Sequence, residues 1–452
     1  MTQSVIISGG GIVGSFLGLE LAARNIPFKI IEKKDFEISH TDHIRTLTLN
    51  LIGCERLEQL EVDAASASIQ TMKVLDGSGS GKLSFHSDDA DLDYLARVFS
   101  FNDLRDVLVK KVKDSMIVGE EIVSYDASKS GIRANLSGGS TLESNLLVIA
   151  EGRNSTFAKS IGSETFKKDY QQIAQTFLVE IPEYKNEEAI QVFYEKEIFA
   201  LMPYKSDSSA GQFSVVWSMP KDFAKEITAN NISTHLQKFE KKLSCQIKVV
   251  SDLLSFPLSA HHLDEYCNQG VCVIADAAHS IHPLAGQGIN LGISDAMILA
   301  EEIERGINSD QEIGNLAFLK KYELRRKTFN TTMIKGVVLG YADGNFEEII
   351  VNFSDSVTRR EPGNVYKVAP SIERWEGFKE NFDSINRNLT SVMAVKVNDD
   401  VSFVDALFSQ QVFKGDSVSM SRNFERYWIN HETNKIVTIA FVSEEYGGED
   451  EN

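Results

Sequence analysis

The residues whose types and spacing could do chemistry together are Asp276, His279 and His282, followed at once by Pro283, Gly286, Gln287 and Gly288. A D-x-x-H-x-x-H spacing offers one carboxylate and two imidazoles. These can act as metal ligands or proton carriers, and equally as a helix cap and two loop-anchoring polar groups. Pro283 cannot continue a strand ladder, whereas Gly286 and Gly288 allow a flat ligand to approach the main chain. From Ile289 and Asn290 onward, the apolar positions Ile289, Leu291, Ile293, Met297, Ile298 and Leu299 read as a largely buried helix. Its first turn would present free N–H groups and the positive end of a dipole, which suits an anion.

A second constellation lies at the N-terminus. Gly9-Gly10-Gly11-Ile12-Val13-Gly14 follows the apolar run SVIIS and opens a helical pattern that runs to Arg24. The strand-like PFKIIE then ends on Glu32. In such a βαβ unit Gly9 makes the tight turn, Gly11 lets the backbone approach a pyrophosphate, and Gly14 allows helix and strand to pack closely. Glu32 can accept hydrogen bonds from a ribose and disfavours a 2′-phosphate, so the expected ligand is the ADP half of FAD or NAD.

Two more buried strands position polar groups at their tips. VCVIA (Val271 to Ala275) delivers Asp276, and LLVIA (Leu146 to Ala150) delivers Glu151-Gly152-Arg153. The segments QTFLVEI, AIQVFYE, IFALMPY and FSVVWSM between Tyr170 and Pro220 read as strands of a mixed or antiparallel sheet, and DGSGSGKLSF (Asp76 to Phe85) reads as a hairpin.

Composition limits what this machinery serves. The 452 residues are enough for two or three domains, and 46 Lys and Arg against 65 Asp and Glu give a net charge of −19. That balance argues against nucleic acid as a partner and against attraction to anionic membrane surfaces. Cys54, Cys245, Cys267 and Cys272 show no C-x-x-C, so free thiols are expected. No apolar run is long enough to span a membrane, and the first strand leaves no room for a signal peptide. Cytoplasmic residence is the expectation, with peripheral contact at the inner membrane or a place in a biosynthetic complex left open.

Taken whole, ADAAHSIHPLAGQGINLGISDA (Ala275 to Ala296) closely resembles the second flavin signature of class A FAD-dependent aromatic hydroxylases, the para-hydroxybenzoate hydroxylase-like enzymes. HPLAGQGINLG is similar to their ubiquinone-biosynthesis branch in particular. The resemblance spans residues 3 to 335 in three ordered motifs and speaks against a metal site. It implies non-covalent FAD, with Gly9, Gly11, Gly14, Glu32, Arg45, Asn102, Glu151, Asp276, Gly286, Gly288, Ile289 and Asn290 binding the cofactor. Pro283, Gly286, Gln287 and Gly288 would form the flavin-activating loop. Asn102 reads equally as a helix cap. Strand residues Leu201, Pro203 and Trp217, with Phe199, match the segments that line the substrate pocket, although such residues are as often core. Two departures are visible: the family usually has Gly where Ala275 stands, and Asp where Glu151 stands.

The implied activity is hydroxylation of a phenolic, polyprenylated ring with NAD(P)H as co-substrate and O2, in ubiquinone biosynthesis. A related reductase or epoxidase, and a non-catalytic FAD-binding subunit of a biosynthetic complex, are the alternatives. No residue is assigned as the base that deprotonates the phenol. His279 and His282 are candidates by chemistry, with loop anchoring the preferred role.

The expected architecture is α/β: a Rossmann-type FAD-binding domain (1–75, 100–165 and 260–335) interleaved with a mixed-sheet substrate domain (76–99 and 166–259). Beyond residue 340 the resemblance ends. Residues 340–452 form an unassigned C-terminal segment with strand-like SVMAV and KIVTIAFV and an acidic tail, EEYGGEDEN, that reads as disordered.

Overall fold

The computed structural model describes residues 3–34, 44–90, 92–128, 131–204, 211–281 and 287–338, together with six strands between 358 and 445. The helices are α1 (Ile12–Ala23), α2 (Leu51–Gln59), α3 (Phe101–Val112), α4 (Ala158–Ile161), α5 (Lys221–Glu226), α6 (Ile232–Leu243), α7 (Gln287–Asn308) and α8 (Leu316–Val338).

The apolar runs that end on polar tips form one six-stranded sheet. Its order is Cys267–Asn268, Val271–Val273, Leu146–Ile149, Val5–Ser8, Phe28–Glu32, Met116–Val118. All neighbours are parallel except the Cys267–Asn268 edge. The strands Val5–Ser8, Leu146–Ile149 and Val271–Val273 are buried throughout, as continuous apolar strands covered on both faces must be. Parallel strands bring their C-terminal ends to one edge, so Gly9, Glu32 and Glu151 converge there beside the segment that starts at Ala275.

The second sheet is mixed. Its path runs His279–Ser280, Leu254–Leu263, Glu164–Glu180, Gln212–Pro220, Ile198–Pro203, Glu188–Phe193, Thr71–Asp76, Lys82–His86, with Lys248–Val249 also on Glu164–Glu180. Thr71–Asp76 joins it in parallel and the other pairings are antiparallel. The expected hairpin is present as Thr71–Asp76 with Lys82–His86.

Some expected boundaries shift. The excursion into the second sheet begins at Thr71 rather than residue 76, because Thr71–Asp76 pairs along its whole length with Glu188–Phe193. The strand Ala96–Ser100, of which all but Ser100 was placed in the substrate domain, pairs with Thr46–Asn50 and Ser66–Ile69 in a separate three-stranded sheet. Leu254–Leu263 stays in the large sheet past residue 260. A meander of Ile122–Ser128, Gly131–Leu136 and Thr141–Ser144 was not foreseen.

Beyond α8, Ser384–Lys396, Val401–Lys414, Ser417–Asn430 and Lys435–Glu445 pair in sequence as a four-stranded antiparallel sheet. The strand-like runs named above fall in its first and last strands. Glu444 and Glu445 of the acidic tail belong to the last strand, and 446–452 lie outside the described residues.

Candidate functional site

The three glycines of the first turn divide the work sterically. Gly9 has φ +104°, and a Cβ there would meet Ala150 O at 2.5 Å. A Cβ on Gly14 would lie 1.9 Å from Gly9 O, so α1 can approach its strand this closely only with glycine. Gly11 differs: a Cβ there would meet nothing within 4 Å. It is the N-cap of α1 and makes no side-chain cap, so open space adjoins the unsatisfied N–H groups of the first turn. That is the geometry of a cradle for a diphosphate.

At the neighbouring strand tip, Glu32 Oε2 accepts from Gly10 N at 2.7 Å and Oε1 from Lys34 N at 2.9 Å. A carboxylate has further lone pairs, so these bonds orient Glu32 while leaving it able to accept from a ribose hydroxyl. Glu151 is held differently. Its Oε1 accepts from Ser8 Oγ at 2.5 Å and its Oε2 from Ser155 Oγ at 2.6 Å. The extra methylene relative to the family's aspartate is taken up by two serines, which pin the carboxylate across the strand ends.

Val271–Val273 stops short of Ala275, which opens a single 3₁₀ turn, Ala275–Ala277. Ala275 has φ +56°, in the left-handed region. The family's usual glycine at this position therefore has a backbone reason, and this chain holds alanine in that strained conformation. Asp276 follows it and is exposed, flanked by buried Ala275 and Ala277. Residues 282–286, and with them His282, Pro283 and Gly286, lie outside the described residues, as does the side chain of Gln287. The first turn of α7 carries Gly288, where a Cβ would meet nothing within 4 Å, and half-buried Ile289. Asn290 is buried, and its side chain clamps the adjacent strand: Oδ1 accepts from Asn50 N at 2.9 Å and Nδ2 donates to Thr48 O at 3.0 Å. Its amide is thus a tether between α7 and the strand Thr46–Asn50. The N–H groups that the start of α7 leaves without an intrahelical acceptor are those of Gln287, Gly288 and Ile289.

Asn102 is not the cap of α3. That role belongs to Ser100, whose hydroxyl accepts from Asp103 N. Asn102 is 1% exposed, and neither atom of its amide has a hydrogen-bond partner among the described residues. A buried amide left bare costs stability, and a bound ligand is one way to satisfy it. Arg45 is exposed and lies over the Phe101 ring at 4.2 Å and within 5.9 Å of Phe256.

The pocket assignment on the large sheet is corrected. Trp217, Leu201 and Phe199 face α6, fully buried in a core with Phe213, Phe239 and Leu236. Trp217 Nε1 donates to Glu197 at 3.0 Å, and the ring meets Phe239 edge-on at 5.2 Å. Pro203 is paired with Phe213 in the same register and is also buried. Strand periodicity puts these residues on one face, but which face a helix covers is settled by tertiary packing. The opposite face carries Ala200 and Met202, packed on Ile69 and Val98, while Ser214 Oγ bonds Thr46 Oγ1 at 2.9 Å.

One set of residues was missed altogether. Asp295 of α7 is fully buried; its Oδ2 accepts from Ala275 N at 2.9 Å and from His279 Nε2 at 2.6 Å, and its Oδ1 from Arg326 Nε at 2.6 Å. Arg326 Nη2 donates to Asn330 Oδ1 at 2.8 Å, and Tyr266 Oη lies 2.6 Å from His262 Nε2. Burial by itself would raise the Asp295 carboxyl, but His279 and Arg326 outweigh it and hold it well below the usual range. His279 is thus an anchored strand residue rather than a free base. The available signal was a lone acid, Asp295, inside an apolar helical run, sixteen positions after a histidine.

An open cradle at Gly11, an oriented acid at Glu32, an unsatisfied buried amide at Asn102 and an exposed acid at Asp276 together fit a dinucleotide with a second, planar half. All four cysteines are free and buried, as expected. No helix among the described residues is long and apolar enough to cross a membrane.

Comparison with known proteins agrees with the geometry. The family described as FAD binding domain matches residues 2–337. The chain is 24% identical over 343 residues to ubiquinone hydroxylase UbiL of Rhodospirillum rubrum, covering 73% of this chain and 79% of that protein. It is 24% identical over 352 residues to the 3-demethoxyubiquinol 3-hydroxylase of Escherichia coli, covering 75% and 89%. Among solved structures, Klebsiella pneumoniae HpxO complexed with FAD and uric acid superposes with a TM-score of 0.63 at 17% identity, over 78% of this chain and 92% of that one. That superposition carries the fold: a Rossmann-type FAD-binding unit joined to a mixed sheet. On a family match that takes in every element of the site, the chain belongs to the FAD binding domain family, the FAD-dependent monooxygenases with their NAD(P)H reductant.

Proposed function

We propose that the protein hydroxylates a lipophilic, polyprenylated phenol with NAD(P)H and O2, as a step of ubiquinone biosynthesis. The observation that carries the reading is the likeness to a ubiquinone hydroxylase and a 3-demethoxyubiquinol 3-hydroxylase, together with HPLAGQGINLG. Bound FAD would supply the redox and oxygen chemistry. The chain's own residues do the placing. Gly11 and the first turn of α1 receive the diphosphate, and Glu32 accepts from the ribose of the ADP half. Asp276 accepts from the ribityl hydroxyls. The N–H groups of Gly288 and Ile289, at the positive end of α7, would hold the flavin half, where that helix end favours negative charge. Asn102 satisfies its amide on the same ligand, Arg45 closes the side toward the large sheet, and Glu151 with Ser8 and Ser155 keeps the strand ends in place. Non-covalent binding accords with a set of contacts made of hydrogen bonds and a dipole.

The test is steady-state NAD(P)H oxidation by the purified flavoprotein, with and without candidate phenols, with product masses recorded. Stimulated oxidation with one oxygen atom added to a prenylated phenol is the expected result. A far higher kcat/KM for a tail-less benzoate would overturn the lipophilic substrate. Turnover to a product without ring hydroxylation would point to the reductase or epoxidase, and no turnover to a non-catalytic subunit.

A further inference from the structure

Asp295 gathers more structure on one carboxylate than packing requires. Its two oxygens join the turn at Ala275 and His279, its own helix α7, and Arg326 and Asn330 of α8. Tyr266 completes the cluster, with its ring 5.7 Å from that of His279 and its hydroxyl 3.4 Å from Asn330 Nδ2. Arg326, 2% exposed, also reaches back to Leu291 O in the second turn of α7. A buried ion pair of this kind is no better for stability than a well-packed apolar replacement, so stability alone does not account for it.

Its position suggests what does. The N–H that Asp295 accepts is that of Ala275, the residue held at φ +56° without glycine's freedom. An alanine stays in that conformation only where its surroundings over-determine it. The next residue is exposed Asp276, so the turn at Ala275 sets where the Asp276 carboxylate points. The carboxylate is carried by α7, whose first turn forms the other side of the same site.

We infer that Asp295, with His279 and Arg326, is a positioning residue for the flavin half of the cofactor site. It holds the Ala275 turn, and through it Asp276, in register with the N-terminus of α7. The inference rests on the proposal that Asp276 and that helix end hold the flavin half.

The test separates the two halves of the cofactor. ADP probes only the glycine turn and Glu32, whereas FAD probes both halves. Dissociation constants for each are measured on the full-length apoprotein, wild type and Asp295→Asn. The expected result is a loss of about tenfold in FAD affinity, the size of one charge-assisted hydrogen bond. ADP affinity should change by less than about twofold, and the visible circular dichroism of the bound flavin should alter. Should Asp295→Asn fail to fold, His279 provides the same test: His279→Leu removes one donor and lowers FAD affinity selectively, while His279→Gln keeps a donor and restores it. A folded variant with unchanged FAD affinity overturns the inference, as does an equal loss of FAD and ADP, which marks a general loosening of the fold. Wild-type protein that binds ADP but gains nothing from the flavin half overturns the underlying reading of the site, and the positioning role with it.

Discussion

At the scale of single residues, the glycine turn makes opposite predictions for two neighbours. Gly14→Ala drives a Cβ to 1.9 Å from Gly9 O, a backbone atom that cannot step aside. We expect a loss of about 3 kcal/mol or more in unfolding free energy, read by denaturant titration. Gly11→Val places its side chain in open space, so the apoprotein should keep its melting temperature while flavin content falls. Full flavin occupancy in that variant would remove Gly11 from the cofactor site. Ala275→Gly is expected to stabilise. Relief of a left-handed alanine, about 1–2 kcal/mol, exceeds the roughly 0.4–1 kcal/mol lost to a more flexible unfolded chain. A lower melting temperature for this variant would show that the methyl's packing against Gly292 matters more than the backbone.

His262 adds a pH dependence. Burial first, and then electrostatic interaction with His279, Lys327 and His261 against an opposing pull from Asp295, lower its pKa from an ordinary 6.5 to about 3, so the folded protein keeps the ring neutral. Below 6.5 the unfolded chain takes up a proton that the folded state refuses. This contribution to stability is therefore complete above about pH 6.5 and is lost as the pH falls toward 3. The denaturation midpoint of wild type relative to that of His262→Gln, which keeps a polar partner for Tyr266, should fall between about pH 7 and about pH 4.

At the scale of elements, the large sheet and α6 act as a rigid wall, and residues on their shared face govern stability rather than substrate choice. Lys238 of α6 bonds both oxygens of Glu197 at 2.7 Å and lies 5.4 Å from the Trp217 ring, fastening helix to sheet. Trp217→Ala should therefore cost about 3–5 kcal/mol of stability, the range for large aromatic truncations in a core. Trp217→Phe should lower the melting temperature while leaving the KM for a phenolic substrate unchanged. A change in KM at constant stability would return Trp217 to the pocket.

At the scale of the whole molecule, every element of the site precedes the end of α8 at Val338, and the family match ends at residue 337. A chain ended after Val338 is thus expected to bind FAD as tightly as the full chain, measured by flavin fluorescence on reconstitution. Soluble truncated protein without FAD affinity would show that the C-terminal four-stranded sheet takes part in the site. Aggregation would show instead that this sheet covers apolar surface of the body.

How much of this was legible in the sequence divides along a physical line. Chain-local signals were sufficient for the βαβ turn, its three glycines, Glu32, the strands IFALMPY and FSVVWSM, and the helix after Gly288. In each case the cause, a steric limit or a side-chain period, acts within a few residues. The left-handed backbone at Ala275 was foreshadowed by the departure from glycine, but only the fold shows the strain. Tertiary structure decided the rest. Which face of Ile198–Pro203 meets α6 depends on a helix some 30 positions away, and Asn290 became a tether because Thr48 and Asn50 lie beside it. Asp295 looked like an unremarked acid in a helix. Its four partners come from a 3₁₀ turn, a strand and α8, and no local pattern joins residues that only folding makes neighbours.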